Sequence, residues 1–315
     1  MCQNKVQFQK GISLSEFFER YGTEKQCGKA LERLKWPKGF VCERCGHDEY
    51  CFIKTRRYYQ CGSCGYQTSL IRGTLFHSTN LPLTKWFLAI YLISQSKNGI
   101  AALELKRQVG ISYKTAWSMK QKIVQVMANQ EAGTRLSGIV ELDDSYLGGK
   151  RKKGKRGRGA EGKLPFLAAV ETDLDNKPVK MVLSVVDGFK KQTVDLWSKA
   201  HLAGGSLVIT DGLACFQEAA FQGCLHLPQV PKKGRKTTDL ECFKWVNTVL
   251  GNLKSSLRGT YKSNKWKYAQ RYLSEFQYRF NRRFDLRGMV DDLLQAVVTA
   301  KPIGEKVLRW TVNRN

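Results

Sequence analysis

Two groups of side chains in this sequence have types and spacings suited to holding metal. The first is a pair of aspartates, Asp143 in the stretch Val140 to Lys150 (VELDDSYLGGK) and Asp211 in ITDG, each following a short apolar, β-branched run and preceding glycine. If those runs are neighbouring strands, both carboxylates reach one edge of a sheet. Carboxylates sharing hard divalent ions, Mg²⁺ or Mn²⁺ and two of them, are the equipment of phosphodiester cleavage, in which the ions hold the attacking and leaving oxygens in line. Strand side chains alternate, so one of the adjacent Asp143 and Asp144 faces a given site. Ile139 and Glu141 share the parity of Asp143, which selects Asp143 and leaves Asp144 facing away. A turn through Asp143, Asp144, Ser145 and Tyr146 into Gly148 and Gly149 is the competing, purely structural explanation.

Such sites need a third ligand, and the helix expected from Phe243 onward, FKWVNTVLGNLKSSLRGTY, is where to seek it. Asn247, Gly251, Lys254 and Arg258 recur at i, i+4, i+7 and i+11, a polar stripe beside Val249, Leu250, Leu253 and Leu257. One face can therefore offer a ligand oxygen from Asn247 and phosphate contacts from Lys254 and Arg258. Glu241 is the alternative acid.

The second group is Cys42-x-x-Cys45 and Cys61-x-x-Cys64, with glycines beside each pair. Two such knuckles present four thiolates to one tetrahedral zinc ion, and four protein ligands leave no open position, so one structural Zn²⁺ is expected. A redox role would call for a pair at a helix start. Of the ten cysteines, Cys2, Cys27, Cys51, Cys215, Cys224 and Cys242 are read as free thiols of a reducing, cytoplasmic compartment.

The charge balance names the partner. Lys plus Arg number 53 against 27 Asp plus Glu, a net of +26 over 315 residues, which points to a polyanion, with nucleic acid the leading candidate, double-stranded DNA once the helix-turn-helix below is counted, and a membrane surface the runner-up. No apolar run reaches the roughly 18 residues that span a bilayer, and the N-terminus lacks an apolar signal core, so no membrane partner is expected.

These sites need elements to position them. Residues 1–38 read as a helical segment, with Ser13 and Glu16 at capping-box spacing and Gly22 as a stop. The zinc ribbon occupies 39–70. Residues 80–130 hold the apolar helix Leu83 to Gln95 and then a helix-turn-helix pattern, turning at Val109-Gly110-Ile111 and restarting at Ser112, with Lys114 and Lys120 directed toward a major groove. From 137 to 285 the pattern is strands at 138–142, 164–171 and 179–186, a helix at 192–201 and a strand at 207–210, an α/β layered sheet covered on both faces. Between the first two strands lies KRKKGKRGRGAEGK, with eight basic residues. Lys150, Arg151, Lys152, Lys153, Lys155, Arg156 and Arg158 make it an arm that would neutralise phosphates near the acidic site. Beyond it, Ala269, Leu273, Phe276 and Phe280 form an apolar stripe with Trp266, while Arg271, Arg279, Arg282 and Arg283 lie off it and are read as DNA-handling. Residues 286–315 are a last helix and tail.

Taken in order, the ribbon, helix-turn-helix, VELDDSYLGGK, basic arm, ITDG, NTVLGNLKSSLRGTY and YLSEFQYRFNRR resemble the bacterial transposases of insertion-sequence family 1595 over about residues 13 to 284. The resemblance implies an RNase H-like mixed-sheet core, with Asp143, Asp211 and Asn247 as catalytic triad and Lys254 as the accompanying basic residue. It also implies a DDE-type enzyme that binds terminal inverted repeats, hydrolyses a phosphodiester, transfers the freed strand to target DNA and works as a homo-oligomer. The sequence departs from the pattern at Asp144, where relatives often carry Glu, and Asn247 stands at a triad position where DDE enzymes generally carry an acid. A non-catalytic DNA-binding regulator, or an inactive transposase, that uses the ribbon and helix-turn-helix alone is the competing function.

Overall fold

The computed structural model describes residues 9–148, 162–230, 238, 240–261 and 266–309. They form two compact units, one holding the chain up to Val126 together with Phe284 onward, the other Met127–Arg283.

The first unit opens with α1 (Leu14–Tyr21) and α2 (Glu24–Lys35). The capping box expected at Ser13 is half made: Ser13 Oγ accepts from the Glu16 N–H at 3.1 Å, but the Glu16 carboxylate accepts from Arg20 at 2.6 Å instead. The complete box belongs to α2, where Thr23 and Gln26 satisfy each other's backbone N–H groups. Three antiparallel strands follow, β1 (Tyr50–Ile53), β2 (Tyr58–Cys61) and β3 (Gln67–Ser69). Next come α3 (Leu83–Gln95), α4 (Ala102–Val109) and α5 (Tyr113–Glu131), whose last turn belongs to the second unit. The α4–α5 corner is the helix-turn-helix turn: Gly110 takes φ +66° and Ser112 Oγ caps α5 by accepting from the Thr115 N–H at 3.2 Å. Lys85 donates to the Val109 and Gly110 carbonyls at 2.6 and 3.2 Å, meeting the end of α4 with a positive charge.

The second unit is built on β4 (Ile139–Leu147), β5 (Leu164–Thr172), β6 (Pro178–Val185), β7 (Leu207–Thr210) and β8 (Leu225–Pro228), in the order β6-β5-β4-β7-β8. The β6-β5-β4 side is antiparallel and the β4-β7-β8 side parallel. A helix, α6 (Lys191–His201), makes the crossover from β6 to β7, and a 3₁₀ segment, Ala214–Gln222, joins β7 to β8. On one face Val140, Leu142, Leu167 and Val182 pack with Val194 and Trp197 of α6 and with Phe216. On the other, Phe166, Ala168, Met181 and Leu183 pack against α7 (Lys244–Thr260) and α8 (Ala269–Asn281) through Val246, Leu250, Leu253 and Leu273. Cover on both faces is why FLAAV and MVLSVV are continuous apolar runs.

At the outer edge of β6, α8 stands in for a strand. The N–H groups of Val185, Leu183 and Met181 donate to Gln270 Oε1, Gln277 Oε1 and Asn281 Oδ1 at 2.8, 2.9 and 2.8 Å. Gln270 and Asn281 donate back to the Leu183 and Met181 carbonyls, each at 3.0 Å.

The chain then returns to the first unit as α9 (Met289–Thr299) and α10 (Glu305–Arg309). Leu75 N–H donates to the Val297 carbonyl at 3.2 Å and Tyr21 Oη to Asp291 at 2.9 Å. The tail is thus integral to that unit.

Candidate metal centres and nucleic-acid surfaces

The aspartates come together, though not as strand ends. β4 continues through Asp143 and Asp144 to Leu147, paired with β5 throughout, so the turn at this point is excluded. What ends there is the other neighbour. β4 and β7 pair in parallel from Ile139↔Leu207 to Glu141↔Ile209 and no further, and the same register extended by two residues sets Asp143 opposite Asp211. With no partner rung on that side, both β4 carboxylates have room to turn toward Asp211. Carboxylate oxygens of Asp143, Asp144 and Asp211 lie within 4.8 Å of one another. The expectation that Asp144 faces away is therefore corrected: strand alternation sets its Cβ opposite to that of Asp143, yet its carboxylate lies within 4.8 Å of the other two, and the Asp144 N–H donates to Asp143 Oδ1 at 2.8 Å.

Asp211 is held by its turn. Its Oδ1 accepts from the Leu213 N–H at 3.0 Å, and Gly212 takes φ +82°, where a Cβ would come within 2.7 Å of Val230 Cγ2. Before it, buried Thr210 hydrogen-bonds through Oγ1 with His226 Nε2 at 2.8 Å and accepts from the Gly212 N–H at 3.3 Å.

The residue that sequence reasoning passed over is Glu141. It is 2% exposed, on the face of β4 that packs against α7, and its Oε2 accepts from the Val246 N–H at 2.7 Å. A carboxylate at a helix N-terminus satisfies donors that have no partner inside the helix. Burial is the largest influence on Glu141 and raises it to about 7, against the N–H groups of Val246 and Trp245 and the charge of Lys244. An acid two residues before an aspartate in an otherwise apolar strand was the available signal.

Asn247 follows Val246 directly, so the helix that carries it is tied to β4 two residues from Asp143. Its Nδ2 donates to the Phe243 carbonyl at 2.8 Å, which leaves Oδ1 as the atom with lone pairs for a cation. Asn247 also lines a cavity of about 460 Å³ with Glu241, Lys244 and Thr248. Glu241 is exposed and does not belong to the acidic cluster. Farther along α7, Lys254 is half-buried and Arg258 exposed.

The four ribbon cysteines converge. Cys42 and Cys64 Sγ are 3.7 Å apart and Cys45 and Cys61 Sγ 3.5 Å, close to the roughly 3.8 Å edge of a tetrahedron with Zn–S near 2.3 Å. The two knuckles repeat one hydrogen-bond scheme: Gly46 N–H to the Cys42 carbonyl at 2.9 Å and Gly65 N–H to the Cys61 carbonyl at 3.1 Å, with φ of +76° and +67°. Burial works to raise the Cys42 thiol, but the backbone N–H groups of Cys45 and Arg44 outweigh it and hold the thiol down. Tyr59 anchors the module, its ring centroid 4.8 Å from Trp36 and 5.0 Å from both Tyr50 and Phe52.

Of the cations assigned to DNA, Lys114 is exposed at the start of α5. Lys120 is not: it is 1% exposed and donates to the Ile100 carbonyl, because its position falls on the inward stripe with Ala116 and Ile123. It is withdrawn as a DNA contact. Lys150, Arg151, Lys152, Lys153, Lys155, Arg156 and Arg158 lie outside the described residues. Arg279 in the last turn of α8, and Arg282 and Arg283 just after it, are also reassigned. Arg279 pairs with buried Glu275 at 2.9 Å, Arg282 with buried Glu131, and Arg283 donates to the Val179 and Phe280 carbonyls at 3.0 and 2.7 Å. These three hold the unit together.

A mixed sheet in the order β6-β5-β4-β7-β8, with carboxylates gathered where its central parallel pair opens, defines an RNase H-like fold with an acidic cluster able to hold divalent metal. A family model described as ISXO2-like transposase domain matches residues 135–281, and one described as transposase zinc-ribbon domain matches residues 22–67. Together they take in more than half of the chain, and the protein belongs to the insertion-sequence 1595 transposase family. The "uncharacterized protein in transposable element ISH50" of Halobacterium salinarum is 27% identical over 166 residues, 47% of this chain and 55% of that protein. The chain thus spans about half the length of that curated relative. Solved structures of the Mos1 strand transfer complex and of a pre-cleavage Mos1 transpososome align at 9% and 7% identity. Each alignment covers 63% of this chain, and 76% and 77% of the other, with TM-scores of 0.23 and 0.21, too low to draw correspondences between positions. Among the described residues no helix is long and apolar enough to cross a membrane.

Proposed function

We propose that the chain is an active DDE-type transposase, which binds the terminal inverted repeats of its element, cleaves a phosphodiester there and joins the freed 3′ end to target DNA. The observation that carries this reading is the meeting of Asp143 and Asp211 from neighbouring parallel strands inside a protein of net charge +26. A protein that only binds DNA has no use for carboxylates gathered where phosphates must approach.

In this reading Asp143 and Asp211 hold two Mg²⁺ or Mn²⁺ ions, Asp144 adds a carboxylate, and Asn247 Oδ1 supplies the uncharged third ligand of the triad. All are hard oxygen donors, as such ions require. When bound, the ions supply charge neutralisation and in-line placement of the attacking and leaving oxygens. The chain's own part is positional: Glu141 fixes the start of α7, and Lys254 and Arg258 meet phosphates along its stripe. Lys114 and the basic residues 150–158 neutralise flanking DNA. One Zn²⁺ on the four cysteines is structural. The protein works in the bacterial cytoplasm, as a homo-oligomer on its DNA.

The test is Mg²⁺-dependent 3′-end cleavage of a duplex carrying the element's terminal repeat. Wild type cuts, and Asp143→Ala and Asn247→Ala do not, while Asp143→Ala binds the repeat at least as tightly. Binding by wild type without any cleavage makes the chain a regulator. Cleavage that survives Asn247→Ala removes Asn247 from the ligand set.

A further inference from the structure

We infer that the first unit carries a separate binding groove for single-stranded DNA, between α2, the β1–β2 hairpin and the start of α3. This rests on the reading that the chain works on DNA, but not on the chemistry of its aspartates. The groove has a volume of about 1140 Å³. Lys25 and Lys29 of α2 and Lys54, Arg56 and Arg57 of the hairpin turn line it, against one carboxylate, Glu24. That carboxylate accepts from the N–H groups of Leu83 and Thr84 at 2.8 and 3.1 Å. Its charge is engaged at the N-terminus of α3, which Pro82 leaves without a side-chain cap. The groove is therefore strongly electropositive.

Two rings share the lining and are far from buried, Phe52 at 43% and Tyr58 at 37% exposed. Phe52 is braced from below by Tyr59, with centroids 5.0 Å apart, and Tyr59 is itself 6% exposed in the ribbon core. Phe52 is thus an aromatic surface on a rigid support, beside cations spaced along a concave track. Stacking rings in a basic groove are how proteins hold unpaired strands: each base offers a π-face and the cations follow the backbone. Duplex DNA keeps its bases stacked inside and presents no such face, and the start of α5, with Tyr113 and Lys114 exposed, suits a duplex better. A transposition intermediate contains unpaired strands next to paired ends, and this groove lies in the unit that carries the helix-turn-helix.

The experiment is fluorescence anisotropy with the zinc-loaded full chain, comparing labelled (dT)₁₂ with a 12-base-pair duplex. Phe52→Ala is expected to weaken (dT)₁₂ by about tenfold and Phe52→Trp to retain it, with duplex affinity unchanged in both. The triple variant Lys54→Gln, Arg56→Gln, Arg57→Gln is expected to lower the salt dependence of (dT)₁₂ binding by about two units of slope. Retention of zinc by each variant shows that the ribbon is folded. If (dT)₁₂ affinity in both Phe52→Ala and the triple variant equals that of wild type, or if wild type binds duplex but not (dT)₁₂, the groove assignment is wrong while the transposase reading stands. If wild type binds neither, both fall.

Discussion

Asp143 and Asp211 occupy matching positions two residues past Glu141↔Ile209, the last paired rung between β4 and β7. The cluster exists because one strand goes on and the other turns away. Asp144 joins it for the same reason, and this leads to an outcome the alternation of side chains alone would not give. Asp143→Asn and Asp211→Asn should abolish Mn²⁺ binding in calorimetry, and Asp144→Asn should weaken it by about tenfold. An Asp144→Asn protein with wild-type affinity would leave that carboxylate a bystander.

Glu141 links the strand of Asp143 to the helix of Asn247. Glu141→Leu fills the space but leaves the Val246 N–H without its acceptor, at a cost of roughly 1–3 kcal/mol. Glu141→Gln keeps an oxygen there and should cost far less. Urea denaturation of the two variants decides the matter, and equal losses would show that the hydrogen bond contributes nothing.

Gly212 has no substitute. Alanine there meets both a left-handed backbone and the 2.7 Å approach to Val230, so Gly212→Ala should lose about 1–3 kcal/mol of stability and weaken Mn²⁺ binding through the displaced Asp211. Retained affinity in a destabilised variant would mean that the turn does not position the carboxylate.

Zinc removal should unfold the ribbon. A small three-stranded sheet gains much of its folding energy from the metal. Chelation is therefore expected to open Phe40 to Leu70 to protease, with Cys61→Ser giving the same pattern without chelator. Protection unchanged by chelation would remove zinc from the account of this segment.

His201 sets an acid limit. Burial is the main cause pushing its imidazole below the usual range, assisted by Arg135 and opposed by the hydrogen bond to the Thr134 carbonyl, 2.9 Å from Nδ1. The folded group therefore gives up its proton more readily than the unfolded one. Its contribution to stability is fully present above about pH 6.5, the unfolded value, and is lost progressively as pH falls from there through the lower folded value. The wild-type urea midpoint should drop between pH 7.5 and 5.5, and His201→Gln should drop less; parallel slopes would contradict this.

Much of this architecture could be read from residue order. Four of the five strands of the sheet follow from apolar runs, the ribbon from two cysteine pairs, and the α4–α5 corner from Gly110 and Ser112; β8, the short Leu225–Pro228, gives no such run, and β4 continues past its apolar part to Leu147. What could not be read depends on long-range geometry. Nothing local says that β7 stops pairing with β4 at Ile209, and so nothing local brings Asp144 into the site. The helix-turn-helix pattern groups Lys120 with Lys114, but six residues separate them on the helix, and Lys120 turns inward to donate to the Ile100 carbonyl, twenty residues earlier in the chain. Arg279, Arg282 and Arg283 resembled DNA contacts because their partners, Glu275, Glu131 and the β6 backbone, are met only after folding.

The amides of Gln270, Gln277 and Asn281 have one more effect. A strand at the margin of a sheet offers its N–H and C=O groups to any other chain that can lie beside it, and proteins guard against such joining. Here a helix answers those groups with side chains that donate and accept, so the β6 margin is closed to growth. Copies of this protein brought close together cannot zip their sheets through that side.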